Sequence, residues 1–78
     1  MLWLKNIRLK EGKYSFDVCI NEENPYQMEI DKWNMNVIFS NVPRAYEMYQ
    51  RLAQSAVLAN YYEWYDGNVP KEYEVVWY

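Results

Sequence analysis

The apolar residues of this 78-residue chain follow two different periods, and the change falls at Pro43. Before that proline, apolar side chains alternate with polar ones, as they do in strands that bury one face. From Pro43 onwards they recur at steps of three and four, which is typical of an amphipathic helix. A last alternating run covers residues 72–78. The order β-β-β-β-α-β predicts a small α+β domain, with one helix packed on one face of an antiparallel sheet of about five strands.

Four strands are predicted in the first half of the chain. The clearest covers Tyr14–Ile20, where large apolar residues alternate with Ser, Asp and Cys. Gly12 lies just before it in the segment Lys10–Lys13 and predicts a tight hairpin turn, because glycine accepts a positive φ. Further alternation predicts strands over residues 26–31 and 35–40.

The first strand changes phase within itself. Leu2 and Leu4 alternate in one phase, whereas Ile7 and Leu9 follow in the opposite phase. A β-bulge near Lys5–Asn6 reconciles the two phases, because a bulge adds one residue to a strand. An N-terminal segment covered on both faces is the alternative explanation.

The predicted helix has an apolar side and a polar side. Ser40 or Asn41 can cap its first turn. Glu47 and Arg51 stand four residues apart, the spacing of an ion pair along a helix. Asp66-Gly67 ends the helix or turns the chain just after it. The apolar side that should face the sheet comprises Ala45, Met48, Tyr49, Leu52, Ala56 and Ala59.

Residues 1–78 are too few for more than one domain, and a chain of this length hides only about 60% of its unfolded surface. Nine Tyr, four Trp and two Phe predict that aromatic rings form most of the core. The chain has no histidine and a single cysteine, which argues against an internal disulfide and a zinc site. We interpret Cys19 as a small buried hydrophobe, which fits a reducing compartment.

The start of the chain offers four apolar residues before Lys5, fewer than the roughly 7–15 of a signal peptide. No stretch approaches the ~20 apolar residues that cross a bilayer. We therefore expect a soluble, cytoplasmic protein with no membrane partner. If a phage encodes the chain, the compartment is the cytoplasm of its host.

The sequence lacks the residues that most catalytic sites require. Without histidine, serine and cysteine nucleophiles have no imidazole base, and the two glycines are too far apart for a phosphate-binding loop. The carboxylate pairs Glu22/Glu23, Glu29/Asp31 and Glu72/Glu74 are interpreted as solvated surface charges. We expect no catalytic residue, no cofactor and no bound metal.

Four large rings crowd into five positions near the predicted helix end: Tyr61, Tyr62, Trp64 and Tyr65. Helical residues step by about 100° around the axis, so these rings cannot all face one sheet. Some are expected at the surface, where Tyr and Trp are frequent binding hot spots. The alternative is that the cluster closes one end of the core.

Acidic residues accompany the rings: Glu29, Asp31, Glu63, Asp66, Glu72 and Glu74. If the elements that carry them lie close together, they form an acidic face with aromatic edges. Such a face suits a partner with a basic surface, because complementary charge guides association. An ordinary solvated surface is the alternative.

The basic residues concentrate in the first hairpin. Residues 1–13 carry four basic side chains and one acidic one, whereas residues 14–78 carry four basic and ten acidic side chains. Direct nucleic-acid binding would use Lys5, Arg8, Lys10 and Lys13. The ring-rich segment is acidic, however, and would repel the phosphates of a strand stacked on its rings.

We expect a non-catalytic protein-binding module, a small stoichiometric inhibitor that blocks a larger macromolecule. Phage anti-defence proteins and immunity proteins are inhibitors of this type. The expected contact residues are Tyr61, Tyr62, Glu63, Trp64, Tyr65, Asp66, Glu72 and Glu74. One alternative is a homodimeric structural or regulatory domain that pairs its helix end and last strand with its own copy. A nucleic-acid-binding domain is the second alternative.

Overall fold

The computed structural model describes residues 1–21 and 23–77. Its strands form one antiparallel sheet in the order β4-β3-β2-β1-β5, and the helices cover one face. The predicted α+β architecture is confirmed. The elements are β1 (Leu2–Lys10), β2 (Lys13–Ile20), β3 (Tyr26–Asp31), β4 (Val37–Ser40), a 3-10 turn (Arg44–Tyr46), α1 (Glu47–Ala59), α2 (Tyr61–Trp64) and β5 (Glu72–Val75). None of the described helices has the length and apolar character needed to cross a membrane.

The β1–β2 hairpin turns at two residues with positive φ, Glu11 at 56° and Gly12 at 77°. Two such residues in sequence match the twist of the flanking strands. The ring of Trp33 covers this turn, and a Cβ atom on Gly12 would stand 2.5 Å from the Cζ3 atom of that ring. Backbone conformation and the covering ring therefore both favour glycine.

The bulge predicted in β1 is confirmed. The pairing of β1 with β2 shifts between Lys5 and Arg8, and Asn6 has a φ of 53°. Leu2, Leu4 and Ile7 are all buried as a result. The extra residue thus keeps both phases of the strand on the same, inner face of the sheet.

The fourth strand begins at Val37, two residues after the predicted start at Met35. The Asp31 carboxylate accepts hydrogen bonds from the backbone N–H groups of Trp33 and Asn34, which lengthens the turn. Met35 adopts a φ of 61° and still buries its side chain. The alternation was misleading here because Met35 reaches the core from a turn.

The core is mainly aliphatic, contrary to the expectation that rings would form most of it. Its buried residues are Leu2, Leu4, Ile7, Tyr14, Phe16, Val18, Ile20, Met28, Ile30, Met35, Ala53, Ala56, Val57, Trp64 and Val75. Most tyrosines lie around this core and are only partly buried. Their hydroxyl groups reach water there, which an amphipathic ring favours.

The side of α1 that faces the sheet overlaps the predicted one only in part: Ala56 is buried and Tyr49 and Leu52 pack against the core as predicted, but the centre of the contact is shifted. Ala53, Ala56 and Val57 are buried, whereas Met48 and Ala59 are exposed. With 3.6 residues per turn, the buried stripe lies roughly a quarter turn around the axis from the predicted stripe. The alanines bring the helix backbone close to the sheet, so larger apolar residues remain beside the contact.

The predicted caps of α1 are wrong. No side chain caps α1 at Tyr46. Ser40 instead donates a hydrogen bond to Gln50 and accepts one from the Val42 N–H, and Asn41 accepts one from the Gln27 N–H. Both residues therefore hold the connection from β4 to the helix.

The surface ion pair and the final turn of the helical segment agree with the sequence, but the break between α1 and α2 was not predicted. The predicted pair of Glu47 and Arg51 is present, with 3.2 Å between its charged atoms. Asn60 separates α1 from α2, and Gly67 turns the chain with a φ of 84°.

Replacing Tyr14 with Phe tests the buried hydroxyl at the centre of the sheet. The Tyr14 hydroxyl has no hydrogen-bond partner among the described residues. Its removal should leave the free energy of unfolding unchanged or raise it by up to ~1 kcal/mol at neutral pH. Urea denaturation of both proteins checks this, and a loss above about 1 kcal/mol would reveal a hydrogen bond.

The same pair of proteins should differ in alkaline solution. Burial raises the pKa of Tyr14 above its ordinary value of 10.0, and nearby Tyr61 and Tyr65 add to this rise. A raised pKa means that the folded state holds the proton more tightly, so stability is lost as pH rises above 10. Tyr14→Phe should lose less stability than the original protein over this range.

Candidate protein-binding groove

A groove runs along the outer side of β5, between that strand and the two helices. Its first half is a cavity of about 470 Å³ lined by Glu63, Trp64, Val69 and Tyr73, among others. Its second half is a cavity of about 260 Å³ lined by Leu52, Ala59, Val75 and Trp77, among others. Tyr73 belongs to both halves and joins them. We call these residues together the β5 groove.

The groove exists because β5 is an edge strand that pairs with β1 alone. Tyr73 and Val75 stand opposite Leu4 and Leu2, and all four side chains point to the helix side. On that side Trp64 packs edge-on against Tyr73, with 5.3 Å between ring centroids. The floor of the groove is therefore apolar and continuous with the core.

Among residues 1–21 and 23–77, no strand pairs with the outer edge of β5. The backbone carbonyl of Met1 accepts a hydrogen bond from the N–H of Asn21, so the backbone groups of Met1 point towards β2. Backbone groups alternate in direction along an antiparallel strand, so those of Leu2 and Leu4 point the other way, to Val75 and Tyr73. The N–H and C=O groups of Glu72 and Glu74 consequently point away from β1.

The side chains of Glu72 and Glu74 lie on the opposite face of the sheet from the helices. Glu72 stands opposite Lys5, and Glu74 stands opposite Trp3. Both carboxylates are exposed, and only Glu72 has a basic neighbour directly opposite. Glu74 thus carries the less compensated negative charge at this edge.

The four rings singled out in the sequence separate into two environments. Trp64 is 3% exposed and belongs to the core, so its indole supports the groove from inside. Tyr62 is 91% exposed. Tyr61 lies between Tyr62 and Tyr65, with ring centroids 5.4 and 5.3 Å away, and the ammonium of Lys32 stands 4.1 Å from the centre of the Tyr65 ring. Trp64 therefore closes one end of the core and Tyr62 lies at the surface, and a binding role for the exposed ring stays a prediction.

The predicted acidic residues do not form one continuous face. Glu29 and Asp31 lie on β3, which β2 and β1 separate from β5. Glu29 also forms an ion pair of 3.1 Å with Lys13. Glu63 lines the groove, and Asp66 is exposed beyond the end of α2. The acidic residues near the groove are therefore Glu63, which lines it, and Glu72 and Glu74, which lie on β5.

Three of the four basic residues of the first hairpin have polar or acidic neighbours, whereas Lys10 stands opposite Lys13. Lys5 stands between Asp17 and Glu72 across the neighbouring strands, and Lys13 pairs with Glu29. Arg8 donates a hydrogen bond of 2.7 Å to the carbonyl of Asn6. Nucleic-acid binding through these residues stays a prediction.

A second row of rings was not singled out in the sequence. Tyr26, Tyr46, Tyr49 and Trp77 contact one another in that order, with 5.8 to 6.1 Å between neighbouring centroids. The Tyr46 hydroxyl donates a hydrogen bond to Glu23, which raises the pKa of Tyr46. This row fixes Trp77 at the lower end of the groove. The spacing of three residues between Tyr46 and Tyr49 is the sequence feature from which part of this row could have been predicted.

Cys19 is the second-to-last residue of β2 and is not part of the core. Its side chain is half-buried on the face opposite the helices, where Trp3 stands across from it. Partial burial raises the pKa of its thiol above the ordinary value. The interpretation of Cys19 as a fully buried hydrophobe is corrected accordingly.

The remaining carboxylates show no grouping that would hold a metal ion. Among residues 1–21 and 23–77, no three Cys, Asp or Glu side chains come together as potential ligands. Glu22, part of the pair Glu22/Glu23, lies outside the described residues. Comparison of the chain with family models, curated proteins and solved structures finds no match.

Two substitutions in α2 should separate the supporting ring from the exposed one. Trp64→Ala should lower the free energy of unfolding by ~3–5 kcal/mol, because it empties a large buried site. Tyr62→Ala should change it by less than about 0.5 kcal/mol, because its ring is in solvent. Chemical denaturation measures both values. Equal effects of the two substitutions would contradict the different burial of these rings.

Proposed function

We propose that this chain is a non-catalytic protein-binding module that uses the β5 groove and its acidic edge as the contact surface. The observation that carries the proposal is the groove itself, which opens to solvent beside the edge strand β5 and has an apolar floor of Trp64, Tyr73 and Val75, with Asn60, Glu63 and Asn68 also lining its first half. Burying such a channel against a partner removes apolar surface from water, which favours association. We include in the contact surface the exposed ring of Tyr62, which follows Tyr61 on α2 and precedes the lining residue Glu63 but does not itself line the groove.

The charge near the groove supports a partner with a basic surface. Among the described lining residues Glu63 is the charged one, and Glu72 and Glu74 follow on the adjacent strand. Carboxylates at the edge of an interface accelerate association with a basic partner and orient it. The partner surface should therefore carry Lys or Arg around an apolar centre.

We further propose that binding blocks the partner, as a small stoichiometric inhibitor does. A standard interface buries about 800 Å² on each side, which is roughly 15% of the 5289 Å² surface of this protein. A domain of this size can thus occupy a functional surface of a larger macromolecule with one face. Phage anti-defence and immunity proteins use this mode of inhibition.

The exposed ring of α2 provides the test of this proposal. The domain is immobilised, its partner is captured from an extract of the source cells, and the purified pair is measured by calorimetry. Tyr62→Ala should weaken binding by ~1–3 kcal/mol while the domain stays folded. The matched control is Phe39→Ala, which removes a ring that is 48% exposed on the opposite edge of the sheet.

The comparison of these two variants decides the location of the interface. Binding that survives Tyr62→Ala and is lost in Phe39→Ala would place the contact at β4 and contradict the proposal. Turnover of a substrate by the purified domain, abolished by changing one carboxylate, would contradict its non-catalytic character.

A homodimer is a second candidate because the other edge of the sheet is apolar. The strand β4 carries Ile38 and Phe39, which are 53% and 48% exposed, and it has no charged residue. An uncharged edge strand is prone to pair with a copy of itself. For this second candidate we therefore propose pairing through β4, whereas the sequence alone suggested the helix end and last strand.

Sedimentation analysis distinguishes the two candidates. If β4 forms a dimer, Ile38→Lys should convert it to a monomer, because a lysine opposes edge-to-edge pairing. Glu11→Lys, which changes an exposed hairpin residue, should leave the dimer intact. A protein that is monomeric at all concentrations used would contradict dimerisation through β4.

A further inference from the structure

We infer that the outer edge of β5 accepts an extended segment of the partner as an added antiparallel strand, in which basic residues alternate with apolar ones. The inference rests on the proposed protein-binding function and specifies the chemistry of the segment that is bound. Three properties of β5 support it: the direction of its free backbone groups, the charge on one face and the groove on the other.

The backbone supplies the hydrogen bonds for an added strand. Glu72 and Glu74 direct their N–H and C=O groups outward, because Tyr73 and Val75 are the residues that bond β1. Pro70 has no N–H group, and its backbone faces outward like that of Glu72. Because Pro70 lies before the first residue of β5, the added strand does not need a hydrogen bond from it. An extended peptide opposite Glu72 and Glu74 can therefore continue the ladder.

The side chains specify which residues the added strand carries on its first face. Residues directly opposite Glu72 and Glu74 point to the same face of the sheet as these glutamates. Trp3 is the neighbour of Glu74 within the sheet, so no positive charge stands directly opposite it there. A Lys or Arg in the added strand would supply one. Oppositely charged cross-strand pairs are stabilising, so basic residues are selected at these two positions.

The residue between them is selected by the groove. It stands opposite Tyr73 and points to the helix side, because side chains alternate along a strand. There it meets the apolar channel, with Trp64 and Val69 towards one end and Leu52 and Val75 towards the other. An aliphatic or aromatic residue at this position covers the opening of the groove. The resulting recognition pattern is basic, apolar, basic.

A second copy of this chain does not fit the same edge. Pairing two β5 strands in antiparallel orientation while keeping their faces aligned sets a glutamate opposite a glutamate, as when Glu72 faces Glu74 of the copy. Like charges directly opposite are destabilising. The acidic alternation thus opposes self-pairing at β5 and favours a segment of opposite charge.

Strand addition is tested with a defined peptide and two methylated forms of it. The probe is the acetylated, amidated peptide Thr-Lys-Val-Lys-Val-Lys-Thr, and its binding is followed by shifts of the Glu72 and Glu74 amide signals in NMR spectra. Methylating the backbone nitrogens of its lysines should weaken binding at least about tenfold, since those groups bond β5. Methylating those of its valines, which point away from β5, should leave affinity within about twofold.

A charge exchange tests the selection of basic residues. Glu74→Lys should weaken binding of the lysine peptide by about tenfold and strengthen binding of a matching peptide with glutamate in place of lysine. Glu74 is preferred to Glu72 because a lysine at position 72 would stand opposite Lys5. Glu11→Lys makes the same change of charge in the hairpin and should leave both affinities within about twofold.

The outcomes separate this inference from the proposed function. Three results would overturn strand addition. They are an equal loss of affinity for both methylated peptides, no binding of the lysine peptide, and self-association of the protein through β5. If the captured partner still depends on Tyr62 in that case, the protein-binding proposal stands without it. If the peptide binds as expected but no partner is captured, strand addition is supported and the proposed function fails.

Discussion

Ala53, Ala56 and Val57 bring α1 against the inner face of the sheet, and the other features of the molecule depend on this contact. The small side chains allow a close approach, which buries the apolar residues of β1 and β2 beneath the helix. Because the contact uses one narrow stripe of α1, the neighbouring apolar stripe with Leu52 and Ala59 is left beside β5. The groove is the space between that second stripe and the edge strand.

The two edges of the sheet differ in how they meet solvent. At β5, glutamates alternate with apolar residues, so the edge is charged on one face and apolar on the other. At β4, Ile38 and Phe39 are exposed with no charge in the strand. Edge strands are the places where a sheet can extend, and charge determines which partners can pair with them. This difference leads us to assign a foreign partner to β5.

The aromatic residues have two roles that composition did not separate. Trp64 and Phe16 are buried, whereas most tyrosines surround the core and touch one another at its margin. A tyrosine at such a margin buries its ring while its hydroxyl reaches water. Most of the aromatic residues of this chain therefore lie at the margin of its small core and not in its interior.

The sequence by itself determined the order of the strands and the main helix and the hairpin at Gly12, because local periodicity and backbone preference encode them, and it offered the bulge near Asn6 as one of two explanations. It did not determine which stripe of α1 faces the sheet, nor that β5 pairs with β1 at an edge. Those features depend on contacts between residues far apart in the chain, such as Leu2 with Val75. Tertiary packing alone therefore placed Trp64 in the core, separated Glu29 from Glu74 and opened the groove beside Tyr73.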